Sequence, residues 1–317
     1  MVTVRPLSAS LPELDERCWS QFDDLGLVSR AILLAYAGAI DNPLVIAASW
    51  DGPRLRGLAV GMIELHPADR RVLVVMIPGA HRPAHGTGVW ITGGEDALAV
   101  TTELIGALAR HAREAGLTRL TIARWPADEP IMKQAAAGLG CRPFAAPSDH
   151  QLVLPAGLTW EAHLAALGRK RAWKLRFDLR RAAAAGAEIA DECPPSAAAL
   201  EAAWPLLGAT LGRNASRLRL RTNVLAALAP GAITLCKHGG RLIGFLFRLR
   251  SGGVTQFVHF GHSDAPPLHV ASALWAHALE AEIQRGARLL LLGTASETLK
   301  RRLGATAVPQ VHYFLRC

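Results

Sequence analysis

The stretch Gly286-Ala-Arg-Leu-Leu-Leu-Leu292 decides the fold of this chain. Four consecutive leucines shortly after a glycine are typical of a buried strand. A helical pattern precedes this strand from Ala278, and Lys300 follows it in a short segment. Leu303-Gly304-Ala305 then leads into a last apolar run, Val311-His-Tyr-Phe-Leu315. The chain is therefore predicted to end in the order helix, strand, helix, strand.

The same order occurs once before, about half a chain earlier. Gly116-Leu-Thr-Arg-Leu-Thr-Ile122 corresponds to the leucine strand, and Lys133 corresponds to Lys300. Leu139-Gly140-Cys141 and the run Gln151-Leu-Val-Leu154 complete the match. A repeat at this separation predicts two copies of one αβαβ unit.

Three strand-like runs, separated by turn residues, precede each copy. They are residues 44–50, 55–63 and 72–77 in the first half and 233–236, 241–250 and 254–260 in the second. Three consecutive strands predict an antiparallel meander, whereas a doubly wound sheet would alternate strands and helices from its start. The predicted fold class is α+β, with domains at 1–155 and 156–317.

Composition limits the function without fixing it. A length of 317 residues with 50% hydrophobic content suits two domains of average size. The net charge of +9 favours polyanionic partners such as nucleic acid, a phosphorylated cofactor or an anionic membrane face. The longest apolar run, at 31–40, is roughly half of a bilayer span, so no membrane span and a cytoplasmic location are expected. Five scattered cysteines argue against a disulfide framework or a zinc ribbon.

A basic segment from Trp160 to Ala185 predicts one long helix. On a continuous helical wheel, Arg171 falls within the apolar stripe, with Asp178 on the same side. A buried cation needs a partner. Two explanations remain open at this point: an Arg171–Asp178 ion pair, or an arginine that reaches into an anion-binding cleft. The opposite face is either solvated or a track for phosphate groups, and it carries Arg169, Trp173, Arg176 and Arg180.

Three features in this order resemble the FemAB-like acyltransferases of the GNAT superfamily. They are Trp160 with the basic helix at 169–176, Gly240-Arg-Leu-Ile-Gly244, and Lys300 followed by Leu303-Gly304-Ala305. The resemblance implies tandem GNAT-like domains, each a mixed, mostly antiparallel sheet flanked by helices. It also implies that the second domain transfers an acyl group to an amine of a small molecule or peptide, while the first is degenerate. No tightly bound cofactor is implied, and the co-substrate is acyl-CoA or aminoacyl-tRNA.

The resemblance also suggests roles for individual residues. Lys300 matches the family's C-terminal lysine, which would steady the oxyanion of the tetrahedral intermediate. Arg171 matches an arginine of the family's basic helix, and Lys174 and Asp264 complete the predicted binding residues. His259 and His262 are candidates for the general base because histidine titrates near neutrality. No metal is expected, since histidines three residues apart on an extended segment point to opposite faces.

The acyl donor is the least defined part of the predicted reaction. GNAT enzymes usually hold the CoA pyrophosphate in a glycine-rich loop before the central helix. The corresponding stretch at 261–267 lacks those glycines, and a similar stretch at 82–88 is one residue too long and precedes a strand. Acyl-CoA is still preferred because aromatic residues for stacking on a tRNA end are scarce. Aminoacyl-tRNA, or a catalytically inactive module that binds RNA or another anion, are the alternatives.

Overall fold

The chain forms two compact units in a computed structural model. The model describes residues 1–6, 43–66, 70–75, 88–92, 95–213, 231–251, 253–263, 269–294 and 296–317. Within these residues, unit 1 comprises 1–149 together with 308–317, and unit 2 comprises 150–213 together with 231–307. The predicted stretch at 31–40, most of the 82–88 loop and Asp264 lie outside the described residues.

The first half of the chain contains seven strands and two helices among its described residues. In chain order they are β1 Val2–Pro6, β2 Leu44–Asp51, β3 Arg54–His66, β4 Arg70–Val75, β5 Val89–Ile91, α1 Ala97–Glu114, β6 Arg119–Pro126, α2 Pro130–Gly138 and β7 Arg142–Val153. The predicted meander is confirmed, and β1 precedes it as an additional strand that pairs antiparallel with β2.

The second half contains six strands and five helices among its described residues. They are α3 Trp160–Leu167, α4 Arg169–Ala184, β8 Ala187–Glu192, α5 Ala197–Arg213, β9 Gly231–His238, β10 Arg241–Ser251, β11 Val254–His262, α6 Val270–Gln284, β12 Leu289–Gly293, α7 Glu297–Arg302 and β13 Thr306–Arg316. The predicted meander is present as β9, β10 and β11, again with one added strand, β8.

The strand orders of the two units correspond one to one. Unit 1 has the order β1-β2-β3-β4-β6-β13, and unit 2 has the order β8-β9-β10-β11-β12-β7. In each unit the pair before the closing strand is parallel, β4 with β6 and β11 with β12, and the paired meander strands are antiparallel. The predicted duplication and the predicted α+β class are both confirmed.

The closing strands are exchanged between the two sequence repeats. The first repeat was expected to close with residues 151–154, but Gln151–Val153 pair with β12 of unit 2. The end of the chain, from Gln310 to Arg316, pairs with β6 of unit 1. Strand pairing joins residues that are distant in sequence, so a local pattern predicts the strand without predicting its neighbour. Units 1 and 2 therefore have other boundaries than the domains predicted at 1–155 and 156–317.

The helix predicted from Trp160 to Ala185 is two helices. Gly168 has φ of 79°, a left-handed conformation that suits glycine, and it separates α3 from α4. Thr159 caps α3 by accepting a hydrogen bond from the N–H of Ala162. Because the helix restarts at Arg169, a wheel drawn through both segments has the wrong phase for α4.

Each unit has its own core between helix and sheet. In unit 1, Leu104 and Leu108 of α1 pack with Ile122 of β6. In unit 2, Leu279 of α6 packs with Leu290 of β12. Within the described residues no helix is long and apolar enough to cross a bilayer, and the four described cysteines are free thiols.

A buried ionic network holds α6 to the sheet of unit 2. Glu282 of α6 and Arg248 of β10 are both fully buried, with Arg248 Nη1 3.1 Å from Glu282 Oε1. Thr255 Oγ1 donates to Glu282 Oε2 at 2.7 Å, and Arg250 also binds this carboxylate. Burial raises the pKa of Glu282, but the Thr255 hydrogen bond and the guanidinium groups of Arg248 and Arg250 outweigh it and hold the pKa below its usual value.

We predict that Glu282→Ala lowers the free energy of unfolding of unit 2 by about 3–5 kcal/mol, because the buried Arg248 loses its fully buried anionic partner and keeps the partly exposed Asp191. Urea denaturation measures the change. Glu161→Ala is the control, since Glu161 forms an exposed pair with Arg176 and should change stability by less than about 1 kcal/mol.

The pH dependence of stability in the wild type and in Glu282→Ala gives a second test. The depressed pKa means that Glu282 stabilises the fold above its unfolded-state pKa and loses this contribution as pH falls through its folded-state pKa. The difference between wild type and Glu282→Ala should therefore narrow in acid. Equal losses for both variants, or a difference independent of pH, would contradict the prediction.

Candidate functional site

The candidate site of unit 2 begins where two parallel strands stop pairing. β11 and β12 pair through Val254–Gln256 and Leu289–Leu291, three residue pairs in all. Both strands continue, β11 to His262 and β12 to Gly293, and no further pairing joins them within the described residues. We call the stretch at 257–262 and 292–293 the β11–β12 gap. A bulge at Phe247/Arg248 in the pairing of β10 with β11 lies opposite the start of this stretch.

Lys300 is buried next to this gap. Only 1% of the residue is exposed, although it lies on the short helix α7. Its Nζ lies 5.6 Å from the centre of the Trp275 ring of α6, within the range of a cation–π interaction. Trp275 in turn contacts Phe257 and Phe260 of β11, with ring centroids 5.1 and 6.1 Å away. The ammonium group thus lies against Trp275, which packs on two aromatic residues of the β11 side of the gap.

The matching lysine of unit 1 has a different environment. Lys133 lies on α2 and is exposed. The two lysines occupy the same place in the two sequence repeats, so the repeat alone does not account for the burial of Lys300.

A histidine that sequence reasoning missed lies beside Lys300. His150 of β7 pairs in register with Gly293 of β12, and only 2% of it is exposed. Its Nδ1 lies 3.4 Å from the carbonyl oxygen of Gly293. Burial lowers the pKa of His150, and the charge of Lys300 lowers it further. His150 stands out only through its pairing with β12, and the sequence around it gives no indication of that pairing.

The two predicted histidines lie on the β11 wall of the gap. His259 is half-buried and pairs in register with Phe247. His262 is also half-buried, with its Nδ1 2.9 Å from the carbonyl oxygen of Ser263 and its ring 5.3 Å from that of Phe260. Their assignment as general base stays a prediction.

The expected Arg171–Asp178 ion pair was wrong. Arg171 is exposed, and its Nη1 donates to the carbonyl oxygen of Arg301 at 3.3 Å. Asp178 is fully buried and pairs with Lys174, whose Nζ lies 2.6 Å from Oδ1. The reason is distance along the helix, since Arg171 lies about two turns before Asp178 whereas Lys174 lies one turn before it, within reach of the carboxylate.

A histidine and an arginine also lie near Asp178 at the start of α6. His269 Nδ1 lies 3.7 Å from Oδ1, and Arg302 Nη1 lies 3.6 Å from Oδ2. His269 is the N-cap of α6 with a left-handed backbone, and its own side chain makes no capping hydrogen bond. Lys174 therefore lies near the N-terminus of α6, and Arg171 reaches the backbone of α7.

Comparison with known proteins identifies the fold. No protein-family model matches the sequence, and no curated protein matches it. Solved structures match along almost the whole chain. The C-terminal domain of a protein described as a lysylphosphatidylglycerol synthetase from Agrobacterium fabrum has a TM-score of 0.63 at 12% identity, covering 94% of this chain and 92% of that domain. FemX has a TM-score of 0.59 at 11% identity, and the alignment covers 99% of this chain and 97% of FemX.

A third match is a tandem GNAT protein from the clavulanic acid biosynthesis pathway, with a TM-score of 0.57 at 13% identity. The alignment covers 100% of this chain and 98% of that protein. The chain has a tandem GNAT fold. The predicted resemblance to FemAB-like and GNAT proteins is thereby confirmed for the fold, and at these identities the fold is all that the matches establish.

Proposed function

We propose that this tandem GNAT protein is an N-acyltransferase whose chemistry takes place in unit 2, with unit 1 as the degenerate copy. The observation that carries the proposal is the burial of Lys300 beside the β11–β12 gap. A buried cation is costly, and strongly desolvated charges concentrate at functional sites. The exposed Lys133 in the matching place of unit 1 supports the assignment of the reaction to unit 2.

The proposed reaction requires little covalent chemistry from the protein. The gap leaves strand edges that are not paired with each other, where a donor carbonyl can meet backbone N–H groups. Lys300 then stabilises the negative charge that develops on the carbonyl oxygen as the amine attacks. Holding donor and amine together in the gap supplies much of the remaining rate. The acceptor is an amine of a small molecule or peptide.

Acyl-CoA is the donor that we propose first. In GNAT folds the pyrophosphate binds at the start of the central helix, and here that helix is α6. Among the described residues no side chain caps its first N–H groups, and Lys174 and Arg302 both pair with Asp178, whose Oδ1 lies 3.7 Å from Nδ1 of the N-cap residue His269. Helix N-termini and cations together favour a phosphate group.

Aminoacyl-tRNA is the second candidate, and the outer face of α4 favours it. Trp173 is 55% exposed and stacks on Phe177 with ring centroids 5.0 Å apart. Lys174 Nζ lies 5.1 Å from the Phe177 ring, and Arg180 is exposed nearby on the helix. An exposed aromatic pair among cations suits base stacking and phosphate contact. The likeness to FemX and to a lysylphosphatidylglycerol synthetase domain is in keeping with this donor.

We predict that Lys300→Met lowers kcat by about tenfold or more, because the oxyanion loses a donor. Lys133→Met is the matched control in the other repeat and should leave kcat unchanged. The assay incubates purified protein with a panel of acyl-CoA thioesters or aminoacyl-tRNAs and a panel of amines, with product detection by mass spectrometry. Circular dichroism establishes that both variants are folded. Full activity in Lys300→Met would remove the basis of the assignment.

The two candidate donors predict different responses of donor binding to salt and of activity to ribonuclease. A tRNA contact over several phosphates should weaken steeply as salt rises, whereas a single CoA diphosphate should give a shallow slope. In a cell extract that contains the protein and its acceptor, ribonuclease should leave activity intact if acyl-CoA is the donor. Loss of activity that charged tRNA restores and acyl-CoA does not would establish the second candidate.

A variant pair sharpens this comparison. Under the tRNA alternative, Trp173→Ala should weaken binding of RNA by about 1–3 kcal/mol through lost stacking. Phe144→Ala removes an exposed aromatic residue of unit 1 and serves as the control. Tight, salt-sensitive RNA binding without acyl transfer from any donor would instead favour a non-catalytic RNA-binding module.

A further inference from the structure

His150 offers an unused proton acceptor on β7, opposite Gly293 at the end of β12 where β12 no longer pairs with β11. Its Nδ1 faces the carbonyl oxygen of Gly293 at 3.4 Å. A carbonyl oxygen can only accept, so Nδ1 carries the hydrogen of the neutral ring. The lone pair of the ring therefore lies on Nε2.

Nothing in the described part of the chain uses that lone pair. Nε2 is buried and has no hydrogen-bond partner among the described residues. Buried polar atoms are hydrogen-bonded in nearly all native proteins, so an orphaned acceptor indicates a place where a donor binds. A bound water or a group of a ligand would supply that donor.

The charges around His150 keep the ring neutral. Burial is the largest cause that lowers its pKa, and Lys300 and then Arg301 act in the same direction. The Gly293 carbonyl and Glu297 act in the opposite direction, and the pKa remains below the ordinary value of 6.5. At neutral pH the ring is thus able to accept a proton.

The closing strand of unit 1 provides a contrast. It carries His312, whose Nδ1 accepts a hydrogen bond from the backbone N–H of Arg124 at 3.2 Å. The lone pair of His312 is therefore already occupied, and its hydrogen lies on Nε2. Both closing strands place a histidine against the neighbouring strand, but of the two only His150 has a buried lone pair without a partner in the described part of the chain.

We infer that His150 is the general base of the acyl transfer proposed above, an inference that rests on that proposed function. Its Nε2 receives, through one bound water, the proton that the acceptor amine releases. The neighbouring Lys300 stabilises the oxyanion in the same step.

The step balances as follows in atoms and charge. The amine nitrogen attacks the acyl carbon, a C–N bond forms, and the bond from that carbon to the sulfur or oxygen of the donor breaks. The proton from nitrogen passes by way of the water to Nε2, which makes an imidazolium ion. The imidazolium then gives a proton to the leaving thiolate or alkoxide, which restores the neutral ring. The charge of Lys300 destabilises the imidazolium and favours that return.

The experiment compares His150→Asn with His312→Asn in the full chain. The asparagine amide can still donate to the Gly293 carbonyl but has no basic nitrogen. Using the donor and amine pair found in the panel assay, kcat/KM should fall by about 10²–10⁴-fold in His150→Asn and by less than about threefold in His312→Asn. The rise of kcat/KM with pH, expected with an inflection below 6.5 in the wild type, should disappear in His150→Asn.

Two further measurements separate chemistry from packing. Added imidazole should restore part of the activity of His150→Ala, which a merely structural role would not predict. Nitrogen-15 NMR of the wild type without substrate should show the hydrogen of His150 on Nδ1 and a pKa below 6.5. A hydrogen on Nε2, or an unchanged rate and pH profile in His150→Asn, would overturn the role of His150 alone. A wild type inactive with every donor would overturn the proposed function and this inference with it.

Discussion

The buried carboxylate of Glu282 is the constraint on which the arrangement of unit 2 depends. A charge without access to water must keep its hydrogen-bond donors, so α6 can pack on the sheet only where Arg248 and Thr255 reach that carboxylate. Trp275 lies seven residues earlier on the same helix, about two turns away. The ring that supports Lys300 is therefore fixed, through α6, by an ionic network outside the gap.

The fold could be predicted from the sequence because its signals are local and occur twice. The leucine strand at 286–292 and its counterpart at 116–122 both form, and each meander precedes its helix as expected. Lys300 was found through its place in the repeat. The exposure of Arg171 could not be found in that way, because it lies in the first turn of α4, which starts only after the left-handed Gly168. A helical wheel gives the side of a helix on which a residue lies and does not show where the helix begins or what covers its end.

The remaining part of the site depends on pairing between distant strands. His150 matters because it lies opposite Gly293, which follows it by more than a hundred residues. His259 and His262 attracted attention because they are clustered in sequence, and clustering is visible without a structure. Asp178 shows the same limit in one of its partners, since Arg302 comes from a distant helix, whereas Lys174 lies one turn away on α4 and is visible in the sequence. Local patterns identify elements, whereas sites are assembled by the contacts between them.

The two units show which features the fold requires and which it does not. Both have the same strand order and one parallel pair, yet Lys133 is exposed where Lys300 is buried. The lone pair of His312 accepts from a backbone N–H, whereas that of His150 has no partner among the described residues. Burying an ammonium group and orphaning an imidazole nitrogen both lower stability, and unit 1 folds without either. Both destabilising features, the buried Lys300 and the unpartnered nitrogen of His150, occur in unit 2. For this reason we propose that the chemistry takes place in unit 2 and that unit 1 supports it.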